Sequence, residues 1–127
     1  MDKATLVTSD LAVGDELVKA LDEASLPPTV ALWVHLPEYG DWRFALASPA
    51  LDNAQPAAAY GLVHKALKSA NMPPELTPTL SIFRMSDPFI KDLRRIFGKT
   101  KSVRGMRLGG QLIGDRFLED AIAYRIR

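Results

Sequence analysis

Apolar and polar positions in this chain alternate with two different periods, and the changes of period mark out its elements. From residue 9 or 10 to about residue 24, Leu11, Leu17, Val18, Leu21 and Ala24 recur at helical spacing. Asp15, Glu16, Lys19, Asp22 and Glu23 take the other side. This predicts an amphipathic helix with Ser9 or Asp10 as its N-cap. Pro27 and Pro28 stop it and force an extended entry into residues 29–36. That run is nearly all apolar, so it predicts a central strand covered on both faces. Turn residues fill 37–41, and residues 42–47 alternate large with small or polar, so the two runs read as an antiparallel hairpin.

Pro56 is well placed at the first turn of a second helix reaching Ala70, with Tyr60, Val63 and Leu67 as its core stripe. Residues 71–78, with three prolines, read as linker, and residues 79–85 as a third strand. Asp87-Pro88 combines an N-cap with an N1 proline. A third helix follows, with Phe89, Leu93, Ile96 and Phe97 as its buried stripe and Gly98 as its C-cap. Residues 103–113 and 116–126 read as two strands joined at Gly114-Asp115, where a glycine in the first loop position fits a type II′ turn. The order helix, hairpin, helix, strand, helix, hairpin predicts an α+β fold: one globular domain over residues 1–127, with about three helices and a mostly antiparallel sheet of about five strands.

Composition adds exclusions. A chain of 127 residues, 47% hydrophobic, buries roughly two thirds of its unfolded surface and needs no staple to fold. It contains no cysteine, which excludes thiol catalysis, thiolate zinc sites and a disulfide scaffold. The longest purely apolar stretch, residues 30–34, is far short of the roughly 20 residues of a membrane span, and the N-terminus lacks a signal-peptide pattern. A cytoplasmic protein without membrane association or cofactor is therefore expected.

The net charge of +1 conceals a strong asymmetry. Residues 91–107 hold seven Lys or Arg against one acid, while residues 1–90 hold six against eleven. Lys91, Arg94 and Arg95 share one predicted helix face, and Lys99, Lys101, Arg104 and Arg107 continue the run. These seven residues are the candidate site for phosphate, nucleic acid or another polyanion, whose binding would weaken steeply with salt. The competing reading is structural: cations in a last helical turn offset the helix dipole, and the acidic first helix can lie alongside. Gly98-Lys99-Thr100 is not a phosphate loop, because residue 93 is Leu93 and the triplet follows a helix rather than opening one.

Other chemistry is thinner. Glu119 and Asp120 raise a metal-dependent hydrolase, for which Asp41, Asp52 and Lys101 would have to converge. Strand alternation instead sends the two carboxylates to opposite faces, Asp120 onto the face of Leu118, Ile122 and Tyr124, where an arginine or backbone N–H is the expected partner. His35 and His64 form no motif and are expected as satisfied, partly buried histidines; Trp33 and Trp42 are expected to pack across the hairpin.

The segments Ala31-Leu32-Trp33, residues 41–49, the helix of Tyr60 and residues 119–126 resemble a family of small uncharacterised bacterial proteins. The resemblance covers most of the chain from about residue 15. It implies a complete single domain and carries no activity, cofactor or catalytic residue with it.

The leading expectation is a non-enzymatic interaction or accessory module, since no catalytic signature is present. Polyanion binding through residues 91–107 is the alternative, and metal-dependent hydrolysis the third. Homodimerisation through an exposed sheet edge is expected as well, because an open sheet leaves two edges to cover.

Overall fold

The computed structural model describes residues 6–127. The chain is α+β, built in three layers. Its centre is a four-stranded mixed sheet in the order β3-β2-β1-β6, from β1 (Val30–His35), β2 (Trp42–Ala47), β3 (Leu80–Ile82) and β6 (Asp120–Ile126). β1 pairs antiparallel with both β2 and β6, while β3 runs parallel to β2.

The parallel pair follows from the connection. Between β2 and β3 the chain forms the short helix α2 (Pro49–Asp52), then α3 (Pro56–Ser69) and a 3₁₀ turn at Pro74–Leu76. A crossover of that length returns the strand in the same direction and lays a helix on the sheet face. Together with α1 (Thr8–Glu23), α3 covers one face, where Ala31, Trp33, Phe44, Leu46 and Ile122 meet Leu17, Leu21, Val63 and Leu67. On the other face Leu32, Val34, Ala45, Ala121 and Ala123 meet Phe89, Ile90 and Leu93 of α4 (Pro88–Phe97), with Ile113 and Leu118 of a separate hairpin. The first five residues of β1 are buried, as expected of a strand covered on both sides.

Several local expectations hold. Asp87 caps α4, its carboxylate accepting from the Phe89 N–H at 2.9 Å, and Pro56 opens α3. At the hairpin turn Gly114 has φ +59°, whereas Asp115 is not left-handed, as a type II′ turn requires.

Others are corrected. α1 begins earlier than expected: Val7 is its N-cap, and Asp10 reaches back to accept the Val7 N–H at 2.9 Å. Ile96 is 42% exposed, and Ile90 takes the buried place expected of it. Residues 103–113 are not one strand, because Gly105 (φ +85°) and Gly110 (φ +77°) turn the backbone out of the extended region. Only Gln111–Ile113 forms β4. Residues 116–126 are likewise divided into β5 (Arg116–Leu118), which pairs only with β4, and β6 of the main sheet. The break falls at Glu119, whose N–H donates to the His35 carbonyl at 3.1 Å. The alternation is lost there: Leu118 packs with α4, while Ile122 packs with α1 and α3.

Both edges of the main sheet are engaged. Beside β6, Gly105 N–H bonds the Ala123 carbonyl at 2.8 Å, and Leu108 N–H bonds that of Ala121 at 3.2 Å. β3 is three residues long, and its Ile82 N–H donates to the Tyr60 hydroxyl at 3.0 Å. No helix among the described residues is long and apolar enough to cross a membrane.

Candidate functional site: the basic segment and the β4–β5 hairpin

The seven cations of residues 91–107 follow the chain from the outer face of α4, through an exposed loop, to the strip beside β6. Four of them are engaged within the protein. Arg94 Nε donates to the main-chain oxygen of Arg127 at 2.6 Å. Arg95 grips Asp92 one helical turn earlier through two nitrogens, with Nε at 2.8 Å. Arg104 makes a two-pronged pair with Asp15 of α1 (3.0 and 2.7 Å), and Arg107 does the same with Asp120 (3.4 and 2.8 Å). The facing carboxylates hold the Arg104 and Arg107 guanidiniums above their ordinary pKa. Lys91, Lys99 and Lys101 are exposed and have no carboxylate at ion-pair distance among the described residues. The acidic first helix thus does lie alongside part of the basic run.

Glu119 and Asp120 diverge. Asp120 is half-buried, and its carboxylate accepts from Arg107 and from the Ala121 N–H at 2.8 Å. Glu119 turns to His35, Oε1 lying 3.2 Å from Nδ1. Asp41 faces Arg43 at 3.4 Å, and Asp52 accepts from the Met85 N–H at 3.1 Å. Among the described residues no three His, Cys, Asp or Glu side chains gather as a metal site would need. His64 is exposed on α3. His35 also packs edge-on against Trp42, ring centroids 5.4 Å apart, while Trp33 packs edge-on against Phe44 at 5.3 Å.

Sequence reasoning missed the hairpin's outer face. In β4 and β5, Ile113 and Leu118 point inward and are fully buried, so period two sends Leu112 and Phe117 outward. These two are direct cross-strand partners, 67% and 46% exposed. The other large exposed apolar residues among those described, Val7, Leu62, Leu76 and Ile96, lie on four different segments. The signal was present in the sequence, as an apolar residue on each side of a type II′ turn. It became readable only once both long strands were cut short.

The hairpin is held as firmly as the surface it presents. Asp92 of α4 accepts the Gly114 N–H at 2.8 Å. That bond first, and Arg95 second, hold the Asp92 carboxyl below its ordinary pKa. A side chain at position 114 would place its Cβ 2.6 Å from the Pro88 carbonyl oxygen, so turn and helix touch backbone to backbone. Arg116 donates to Glu38 at 2.9 Å and stands over the Phe83 ring.

Fold and surface together define an α+β protein with a sheet between two covering layers and a docked apolar hairpin. No protein-family model, curated protein or solved structure matches the chain.

Proposed function

We propose that the protein is a non-enzymatic interaction module that engages a partner protein through the outward face of the β4–β5 hairpin. The observation that carries this reading is the Leu112–Phe117 pair. Two large apolar side chains stand directly opposite each other on a strand pair whose inner face is buried and whose turn is locked to α4. Side chains held on an ordered strand pair meet a partner with little ordering cost, and phenylalanine is enriched at protein interfaces. The test is the double variant Leu112→Ser and Phe117→Ser. Size-exclusion profiles of the native protein in extracts of its own cells should show a species larger than the chain, and the variant should lose that species while keeping its thermal unfolding. A profile unchanged by both substitutions contradicts the reading.

Polyanion binding is the second reading, supported by Lys91, Lys99 and Lys101, which have no carboxylate at ion-pair distance among the described residues. With those three alone, log Kobs against log salt for duplex DNA should have a slope of roughly −2.7; with all seven cations recruited it would approach −6. A mixed-sequence duplex showing no binding at low ionic strength removes this reading. Homodimerisation through a sheet edge is a third proposal, and sedimentation showing only monomer at high concentration removes it.

A further inference from the structure

α4 and the β4–β5 hairpin cover the same face of the main sheet, where Phe89, Ile90 and Leu93 of the helix and Ile113 and Leu118 of the hairpin all turn inward. Their opposite sides therefore form one outer surface. On α4 the side away from those apolar residues holds Lys91 and Arg95, one turn apart and both exposed. On the hairpin it holds Leu112 and Phe117. An open depression of about 630 Å³ joins the two, lined by Lys91, Asp92 and Arg95 of the helix and by Gly114 of the turn.

This surface carries positive charge. Residues 88–101 hold five Lys or Arg and one acid, Asp92, whose carboxylate is already taken up by the Gly114 N–H and by Arg95. Asp87 is occupied as the N-cap of α4, which leaves Asp115 at the turn as the exposed acid of the hairpin. Lys91, Lys99 and Lys101 have no carboxylate at ion-pair distance among the described residues. The layer on the other face of the sheet has the reverse sign, since α1 and α3 together carry five acids against three lysines.

We propose that the partner segment docking on the hairpin is both acidic and apolar: Asp or Glu residues set around a few large apolar side chains. The proposal rests on the hairpin as the interaction surface and adds the chemistry of what it meets. Leu112 and Phe117 supply the apolar contact, while the lysines at its margin attract negative charge and repel basic competitors. The same charge disfavours a second copy seated face to face, because a two-fold dimer would bring like charges together. A lipid surface fits less well, because an interfacial anchor buries its apolar face by roughly 5–10 Å and Phe117 is only 46% exposed.

The test pans a phage library of random peptides on the full chain and measures the enriched sequences, made synthetically, by fluorescence anisotropy. Enriched peptides should combine Asp or Glu with large apolar residues and should weaken as salt rises. Lys91→Glu combined with Lys99→Glu breaks no ion pair among the described residues and should lower their affinity at least tenfold; the milder Lys91→Gln with Lys99→Gln should fall between. Peptides that need Leu112 and Phe117 but carry no acidic excess, or that bind the charge-reversed variant as they bind wild type, overturn this proposal and leave the hairpin reading standing. Enriched peptides indifferent to Leu112→Ser with Phe117→Ser, or no enrichment at all, overturn both. Vesicles of phosphatidylcholine and phosphatidylserine that co-sediment the wild type but not the Leu112→Ser, Phe117→Ser variant would put a lipid surface in the partner's place and overturn the proposal as well.

Discussion

The main sheet and the β4–β5 hairpin are made from the same apolar residue types and put them to opposite use. In β1, five consecutive side chains vanish between two layers of helix. In the hairpin only every second side chain is covered, and the uncovered ones are leucine and phenylalanine rather than the polar residues that normally face water. A two-stranded ribbon is not stable alone, so this one depends on Ile113 and Leu118 in the core and on the Asp92 latch at its turn. The sheet spends its apolar surface on folding; the hairpin is held in place by its neighbours and keeps part of that surface exposed.

The largest expected effect lies in the sheet. Phe44 is fully buried between Trp33 and Tyr124, so Phe44→Ala should cost about 3–5 kcal/mol in denaturant unfolding. A loss under about 1 kcal/mol would mean that the inner layer is not close-packed. Gly114→Ala comes next. It combines a left-handed backbone (φ +59°) with a Cβ 2.6 Å from a carbonyl oxygen, and should cost about 1–3 kcal/mol. Hydrogen exchange should localise that loss to β4, β5 and the start of α4.

Tyr124→Phe removes the hydroxyl that donates to the Leu11 carbonyl at 2.7 Å, a loss of about 1 kcal/mol at neutral pH. Burial pushes the Tyr124 phenol up to about 12, so the folded state favours its neutral form. The associated stability is complete below the unfolded value near 10 and is lost as pH rises through about 12. The alkaline limb of stability against pH should therefore flatten in the variant, and a limb identical to wild type would show that Tyr124 is not the group responsible. At the acid end the sign reverses. Arg125 holds the Asp22 carboxyl below its ordinary range, as the Gly114 N–H and Arg95 hold that of Asp92. Their stabilisation is present above roughly pH 4 and is lost on further acidification. The smallest effect belongs to Leu112→Ser and Phe117→Ser, each expected within about 0.5 kcal/mol of wild type by thermal unfolding because both are exposed and outside the core. A larger loss would place these side chains in the fold rather than on its surface.

Much of this architecture was legible from residues alone where a local cause was sufficient. Asp87-Pro88 and Pro56 start helices by fixing backbone geometry within one turn. The nearly continuous apolar run after Pro28 pointed to a strand covered on both faces, and Gly114-Asp115 indicated the turn type of the last hairpin. Features that depend on distant partners were not legible. Nothing in residues 79–85 announces a parallel neighbour for β2, since direction is set by the helices between them. Nothing near Glu119 announces that the chain changes sheets there. Of the candidate site, the cluster of positive charge was visible, and so were the kinds of partner, an acidic first helix and an arginine or N–H for Asp120, but not the pairing: Arg104 meets Asp15 across 89 residues, and Arg107 meets Asp120 because residues 105–108 run beside β6. The His35–Glu119 contact likewise comes from strand register, 84 residues apart in sequence.

The claim on which the functional account rests is that the hairpin's apolar pair is a recognition surface while other exposed apolar residues are incidental. The most direct measurement places a photo-crosslinking side chain at position 112, 117, 62 or 76 in the cells from which the protein comes. The account predicts the same discrete adduct from 112 and 117 and none from 62 or 76. Adducts that arise equally from all four positions, or no adduct from 112 and 117, would contradict it.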